Sequence, residues 1–78
     1  MNVVVINVGL DRFEPHDHRV VVRTDDPETL IKWIEMACPG HSGLQVNTYI
    51  DAYYSELRFC LVFNLKDRDL MMFKLRWM

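Results

Sequence analysis

The chain has 78 residues, half of them hydrophobic and 26% charged, and its formal net charge is −2. This length allows one small domain, and the hydrophobic share excludes a disordered segment. The net negative charge provides no broad positive field, so we do not expect nucleic acid as a partner. No uninterrupted apolar run is long enough to span a membrane.

Residues 3–8 are apolar on both alternating faces except at Asn7. That pattern is typical of a central strand covered on both sides, or of a strand paired in an interface. Residues 9–17 contain Pro15 and several charges, which indicates an exposed loop. Residues 19–24 include three consecutive valines and predict a second strand.

The clearest helix start comes directly after the second strand. Thr24, Asp25 or Asp26 can cap the helix, and Pro27 suits its first position because proline has no N–H to leave unsatisfied. The apolar residues that follow recur at helical spacing, and a proline–glycine pair then interrupts the pattern. We therefore predict a helix over residues 26–37.

Two segments in which apolar and polar residues alternate follow the helix. Residues 44–51 place Ile50 on their apolar face, and residues 57–65 place Leu57 on theirs. The turn at residues 52–56 joins the two segments, so we predict a β-hairpin. Both apolar faces are expected to turn toward the core.

The last segment, residues 67–78, begins with acidic and ends with basic residues, an order that the helix dipole favours. No β-branched residue occurs after Val62, which favours a helix over a strand. A helix would bury Leu70, Phe73 and Trp77, whereas a strand would bury alternate residues. We predict a helix and keep the strand as the alternative.

The predicted order is strand–strand–helix–strand–strand–helix in a single domain of residues 1–78. The simplest packing is an α+β two-layer sandwich: a four-stranded antiparallel sheet with one or two helices on one face. The second face of the sheet then carries mainly polar side chains of the hairpin, which are Gln45, Asn47, Tyr49, Arg58, Cys60 and Asn64.

The strand directions bring several potential metal ligands to one end of this sandwich. The loop after the first strand, the loop after the first helix and the start of the last segment all lie at that end. Zinc takes nitrogen and sulfur ligands in a tetrahedral arrangement, so a small zinc-binding domain is the alternative function. Its candidate ligands are His16, His18, Cys38 and His41.

We do not expect a catalytic role. Cys38 and His41 resemble a nucleophile and a base, but no third group that would orient the base accompanies them. The chain has three glycines, which do not form a loop that cradles phosphate. The prediction is therefore a protein without enzyme activity and, outside the zinc alternative, without a cofactor.

Protein binding is the function that the composition favours. Interfaces are enriched in tyrosine, tryptophan, methionine and arginine, and these residues gather on the predicted hairpin and in the last segment. The predicted partner-binding residues are Tyr49, Tyr53, Tyr54, Arg58, Arg76 and Trp77. Homodimerisation through the apolar first strand or the last helix is compatible with this function and with the zinc alternative.

Residues 63–77 comprise the end of a predicted strand, an acidic turn and the motif Phe-Lys-Leu-Arg-Trp. This segment resembles the ending of small bacteriophage accessory proteins, although Leu70 stands where those proteins more usually have a small residue. The resemblance implies a phage protein that binds a host protein and inhibits or redirects it, and it transfers no functional residues. It implies the host cytoplasm as the location, which agrees with two cysteines that form no disulfide framework.

Overall fold

The computed structural model describes residues 3–10 and 17–78. Its strands and helices follow one another in the predicted order. They are β1 (Val3–Leu10), β2 (Asp17–Thr24), α1 (Pro27–Ala37), β3 (Ser42–Asp51), β4 (Glu56–Lys66) and α2 (Asp67–Trp77).

The four strands form one antiparallel sheet in the order β1-β2-β4-β3. β2 and β3 are the neighbours of β4, so α1 connects two strands that have a third strand between them. The α+β fold with a four-stranded antiparallel sheet is confirmed. The prediction of a central position for the first strand is wrong, because β1 lies at an edge of the sheet. Hydrophobic side chains on both faces do not determine where a strand stands in the sheet.

The interface alternative for β1 stays a prediction. Val4 and Ile6 of β1 are 40% and 55% exposed, and an uncharged edge strand is a template for another strand. Light scattering at two protein concentrations tests whether two copies associate. An increase in molar mass with concentration would support dimerisation, and the mass of a single chain at both concentrations would contradict it.

The helix boundaries agree with the sequence prediction. Asp26 caps α1: its carboxylate accepts the Thr29 N–H at 3.2 Å and the Thr29 hydroxyl at 2.7 Å. These hydrogen bonds lower the pKa of Asp26. The last segment is the helix α2, which buries Leu70 and Phe73 as predicted and half-buries Trp77. The strands extend by one or two residues beyond their predicted ends.

The core lies between the helices and one face of the sheet. Val20 of β2 stands opposite Phe63 of β4, and Phe73 of α2 packs edge-on against Phe63 with the ring centroids 5.6 Å apart. Both helices contribute to this cluster, since the ring of Trp33 in α1 packs edge-on against Phe73 of α2 with the ring centroids 6.1 Å apart. The fully buried side chains are Val20, Val22, Leu30, Ile34, Cys38, Leu61, Phe63, Leu65 and Phe73.

On the opposite side of the sheet, which we call the open face, lies no helix of the described residues. Residues that pair directly across an antiparallel ladder project to the same side. The register therefore aligns Tyr49 with Arg58 and Asn47 with Cys60, and it aligns Arg23 with Cys60. The open face carries the polar side chains that the alternation predicted.

At one end of the sheet, β3 and β4 extend past the ends of β1 and β2. β2 ends at Thr24, opposite Phe59 of β4, whereas β3 and β4 continue to the pair Asp51–Glu56. Beyond Phe59 the sheet is a two-stranded ribbon with a turn at its tip. We call this ribbon, residues 49–58, the hairpin arm.

The helices are too short to cover the hairpin arm. Each helix has 11 residues and is about 16 Å long, whereas β4, also of 11 residues, spans about 36 Å. α1 begins at the level where β2 ends, and α2 begins at the far end of β4. Ile50 and Leu57, which pair across the arm, are consequently 70% and 59% exposed. The prediction that these two side chains turn into the core is wrong.

We expect Phe63→Ala to destabilise the domain severely. Phe63 is fully buried against Phe73, and truncation of a core phenylalanine costs about 3–5 kcal/mol, a large part of the stability of so small a domain. Tyr53→Ala is the control, because Tyr53 is 86% exposed and such a change alters stability by about 0.5 kcal/mol or less. Urea denaturation measures both variants, and similar midpoints for the two would contradict this assignment of the core.

Candidate partner-binding surface

Four of the six predicted partner-binding residues lie on the hairpin arm. Tyr49 and Arg58 pair across its two strands on the open face. Tyr53 and Tyr54 occupy the turn at its tip, where they are 86% and 61% exposed. Their rings meet edge to face with the centroids 4.8 Å apart. The structure thus gathers these four side chains at one end of the molecule.

Hydrogen bonds within the chain fix the conformation of the tip. Asp51 Oδ1 accepts the backbone N–H groups of Tyr53 at 2.9 Å and Tyr54 at 3.3 Å. The Asp51 carbonyl accepts the Ser55 N–H at 2.7 Å. Ser55 has a φ of 54°, the left-handed conformation that closes such turns and that favours glycine. The two tyrosines are therefore displayed by a turn whose backbone is already ordered.

Arg58 is held in place at the base of the arm. Its guanidinium lies 6.0 Å from the centroid of the Tyr54 ring and 2.9 Å from Glu56 Oε2. The Glu56 side chain is 59% exposed, so water screens the ion pair and it contributes little stability. Its effect is to orient the planar guanidinium beside the ring.

The other two predicted residues, Arg76 and Trp77, lie in the helical layer. Trp77 is half-buried and packs edge-on against Trp33, with the centroids 5.6 Å apart. The Arg76 guanidinium stacks over the Trp77 ring at 4.1 Å. The Trp77 indole N–H is buried and has no acceptor among the residues that the structure describes. Trp77 thus joins the two helices, and it does not lie on the arm.

Three further residues belong to this surface although the sequence analysis did not select them. Ile50 and Leu57 form an exposed apolar pair on the side of the arm opposite Tyr49 and Arg58. Arg23 of β2 lies near Arg58 on the open face. A comparison of helix and strand lengths would have indicated the exposed pair, because a helix covers less than half the length of a strand with as many residues.

The opposite end of the sheet gathers the predicted polar groups. His18 Nε2 hydrogen-bonds Asp67 Oδ1 at the start of α2. Asp69, which is 5% exposed, accepts the Gly40 N–H at 3.0 Å. His41 Nδ1 donates to the Cys38 carbonyl at 2.8 Å, because a carbonyl can only accept. The convergence that strand direction predicted is present for these residues, while His16 lies outside the described residues.

The zinc alternative stays a prediction. Within residues 3–10 and 17–78, no group of three or more histidine, cysteine, aspartate and glutamate side chains is arranged to hold a metal ion. The Cys38 thiol is buried and lies 3.8 Å from the Asp69 carbonyl, so it faces the start of α2. The zinc content of the purified protein would decide the question.

Burial of Cys38 favours the neutral thiol over the thiolate. Desolvation, and secondarily the negative charge of Asp69, raise the pKa of Cys38 from 9.0 to about 11. A raised pKa keeps the thiol protonated at neutral pH, whereas nucleophilic attack and zinc ligation both use the thiolate. The thiol that resembles a nucleophile in the sequence therefore stays protonated at neutral pH in the folded protein.

We expect the two cysteines to differ in alkylation rate. At pH 8, iodoacetamide should modify the half-buried Cys60 first and leave Cys38 intact until the protein unfolds. Because the raised pKa favours the protonated thiol in the folded state, the contribution of Cys38 to stability is lost as pH rises from about 9 toward about 11. Mass spectrometry of peptides identifies the labelled residue, and equal labelling of both cysteines in native protein would contradict this expectation.

Comparisons of the chain with protein-family models, with curated proteins and with solved structures found no match. Of the helices in the described part of the chain, none is long and apolar enough to cross a membrane.

Proposed function

We propose that this protein is a non-catalytic protein–protein interaction module that binds its partner through the hairpin arm. The observation that carries the proposal is the exposure of apolar side chains on one side, and of aromatic side chains at the tip, of a ribbon that extends past the helices. Ile50 and Leu57 are exposed on one side, and Tyr53 and Tyr54 are exposed at the tip.

Exposure of apolar side chains to water is unfavourable, so a partner that covers them gains free energy of binding. Burial of apolar area contributes about 25 cal/mol per Å², and clustered exposed hydrophobic residues are typical of interaction sites. A two-stranded ribbon has little interior of its own in which to bury Ile50 and Leu57. A partner surface supplies the cover that the short helices do not.

The ordered tip favours binding for a second reason. Association costs free energy when loops and side chains must be immobilised. The Asp51 hydrogen bonds to Tyr53 and Tyr54 fix the turn before a partner arrives. Tyrosine and arginine are also the residue types in which binding energy most often concentrates.

The proposed function includes no catalysis, as the sequence analysis expected, and the side chain of Cys38, which together with His41 resembles a nucleophile and a base, is not accessible. The Cys38 thiol is fully buried, and its pKa is raised to about 11. The arm offers aromatic rings, aliphatic side chains and a guanidinium, which are groups that recognise a surface.

The partner that we propose is a protein of a bacterial host. This part of the proposal rests on the resemblance of residues 63–77 to the ending of small phage proteins, and it includes the host cytoplasm as the place of action. Binding would inhibit or redirect the host protein.

The experiment is a tagged pull-down from bacterial lysate with three forms of the protein. The wild type should retain a stoichiometric host protein. Tyr53→Ala combined with Tyr54→Ala should lose at least tenfold of that capture, since truncation of one central interface aromatic costs about 2 kcal/mol or more. The matched control is Met36→Ala, which truncates a side chain that is 78% exposed on α1, and its capture should equal that of the wild type.

Thermal denaturation accompanies the pull-down. All three forms should unfold at similar temperatures, because both tyrosines and Met36 are exposed. Capture that survives in the double tyrosine variant, or that Met36→Ala reduces equally, would contradict binding through the arm.

A further inference from the structure

A pocket opens on the open face where the hairpin arm meets the four-stranded sheet. Its volume is about 240 Å³. It is bounded by the first strand, the end of β2 and the arm. The lining residues are Val4, Arg23, Thr24, Asp25, Asp51, Tyr54 and Arg58.

The two arginines of the pocket are neighbours on the same side of the sheet. Arg23 pairs with Cys60, and Arg58 precedes Cys60 by two residues on the same strand. Such diagonal positions are about 7–8 Å apart, which lies within the reach of long side chains. Both side chains are positively charged, so an anion between the two guanidinium groups would be attracted to each of them.

The guanidinium groups retain hydrogen-bond donors. Arg58 uses one nitrogen for Glu56 and rests against the Tyr54 ring, and a guanidinium has five N–H donors in all. Arg23 forms no ion pair with any residue that the structure describes. The Arg23 guanidinium is thus not engaged by any of these ion pairs, although the carboxylates of Asp25 and Asp51 line the same pocket.

The carboxylates of the pocket are already used within the protein. Asp51 accepts the two tyrosine N–H groups that order the tip. Asp25 also interacts within the chain. A ligand that accepts hydrogen bonds and carries a single negative charge would complement the guanidinium donors of Arg23 and Arg58.

We propose that this pocket binds a side-chain carboxylate, glutamate or aspartate, of the partner protein. The inference rests on the proposed function and specifies the chemistry of the partner surface. A carboxylate matches the planar fork of an arginine with two parallel hydrogen bonds. Asp25 and Asp51 disfavour a phosphate, because the repulsion between these carboxylates and a ligand grows with the ligand's charge.

The test is an NMR titration of the full chain with N-acetyl-glutamate amide. Backbone amide signals of Val4, Arg23, Tyr54 and Arg58 should shift with probe concentration. The isosteric neutral probe, N-acetyl-glutamine amide, should bind at least tenfold more weakly. Added salt should weaken the binding of the glutamate probe, because an exposed ion pair is screened.

Two arginine variants locate the binding. Arg23→Gln should reduce the affinity for the glutamate probe at least tenfold. Arg19→Gln is the matched control, because Arg19 lies four residues earlier on the same strand and does not line the pocket. It removes the same charge from the protein and should retain the wild-type affinity.

Three results would overturn the proposal: equal affinity for the glutamate and glutamine probes, equal losses in the two arginine variants, or tighter binding of inorganic phosphate or a short RNA at the same residues. The titration tests the pocket and the pull-down tests binding through the arm, so each proposal can be rejected without the other. Loss of capture in the tyrosine variant with no carboxylate binding would reject only the pocket. Carboxylate binding with unchanged capture would reject binding through the arm.

Discussion

The organisation of this domain depends on a difference in length between its helices and its longest strands. α1 and α2 are each less than half as long as β4, although each has as many residues. The helices bury one part of the sheet, where Phe63, Phe73 and Trp33 meet, and leave the hairpin arm bare. The residues that supply stability are thus separated from those that we propose for binding. Substitutions on the arm can change recognition while the packed part of the sheet keeps the fold.

The end of the sheet opposite the arm shows how polar groups replace packing where the chain turns. His18 with Asp67, Lys66 with Asp17, and Gly40 with Asp69 connect the start of α2 to β2 and to the loop after α1. Gly40 approaches so closely that an added Cβ would lie 2.9 Å from Asp69 Oδ2, which explains a glycine at this position. Burial of the Asp69 carboxylate is tolerated because a backbone N–H binds it. Of the four suggested metal ligands, His18 and Cys38 thus contact the start of α2, and His41 binds the Cys38 carbonyl within its own loop.

The sequence predicted the elements well because each has a local cause. Asp26 caps α1 through its own carboxylate, and the absence of β-branched residues makes α2 a helix. The order of the strands in the sheet, and the part of the sheet that the helices cover, have no such local cause. The apolar residues of β1 fit a central strand as well as an edge strand. Alternation places Ile50 and Leu57 correctly on the helix side of the sheet, but it cannot indicate whether a helix lies above them. Arg23 was missed because its proximity to Arg58 follows from the pairing of β2 with β4, which the pattern of either strand alone does not contain.

The arm also limits the shape of the partner that we propose. Its two sides differ in chemistry: Ile50 and Leu57 are apolar on one side, while Tyr49 and the arginine pocket are polar on the other. A flat partner surface could cover only one side and would leave the other in water. A cleft that receives the ribbon edgewise would cover both, with apolar residues on one wall and a carboxylate on the other. The outer edge of β3 along the arm, which no strand of the described chain pairs with, would lie against the floor of such a cleft. Recognition would then depend on the depth of the cleft and on the position of its carboxylate relative to its apolar wall.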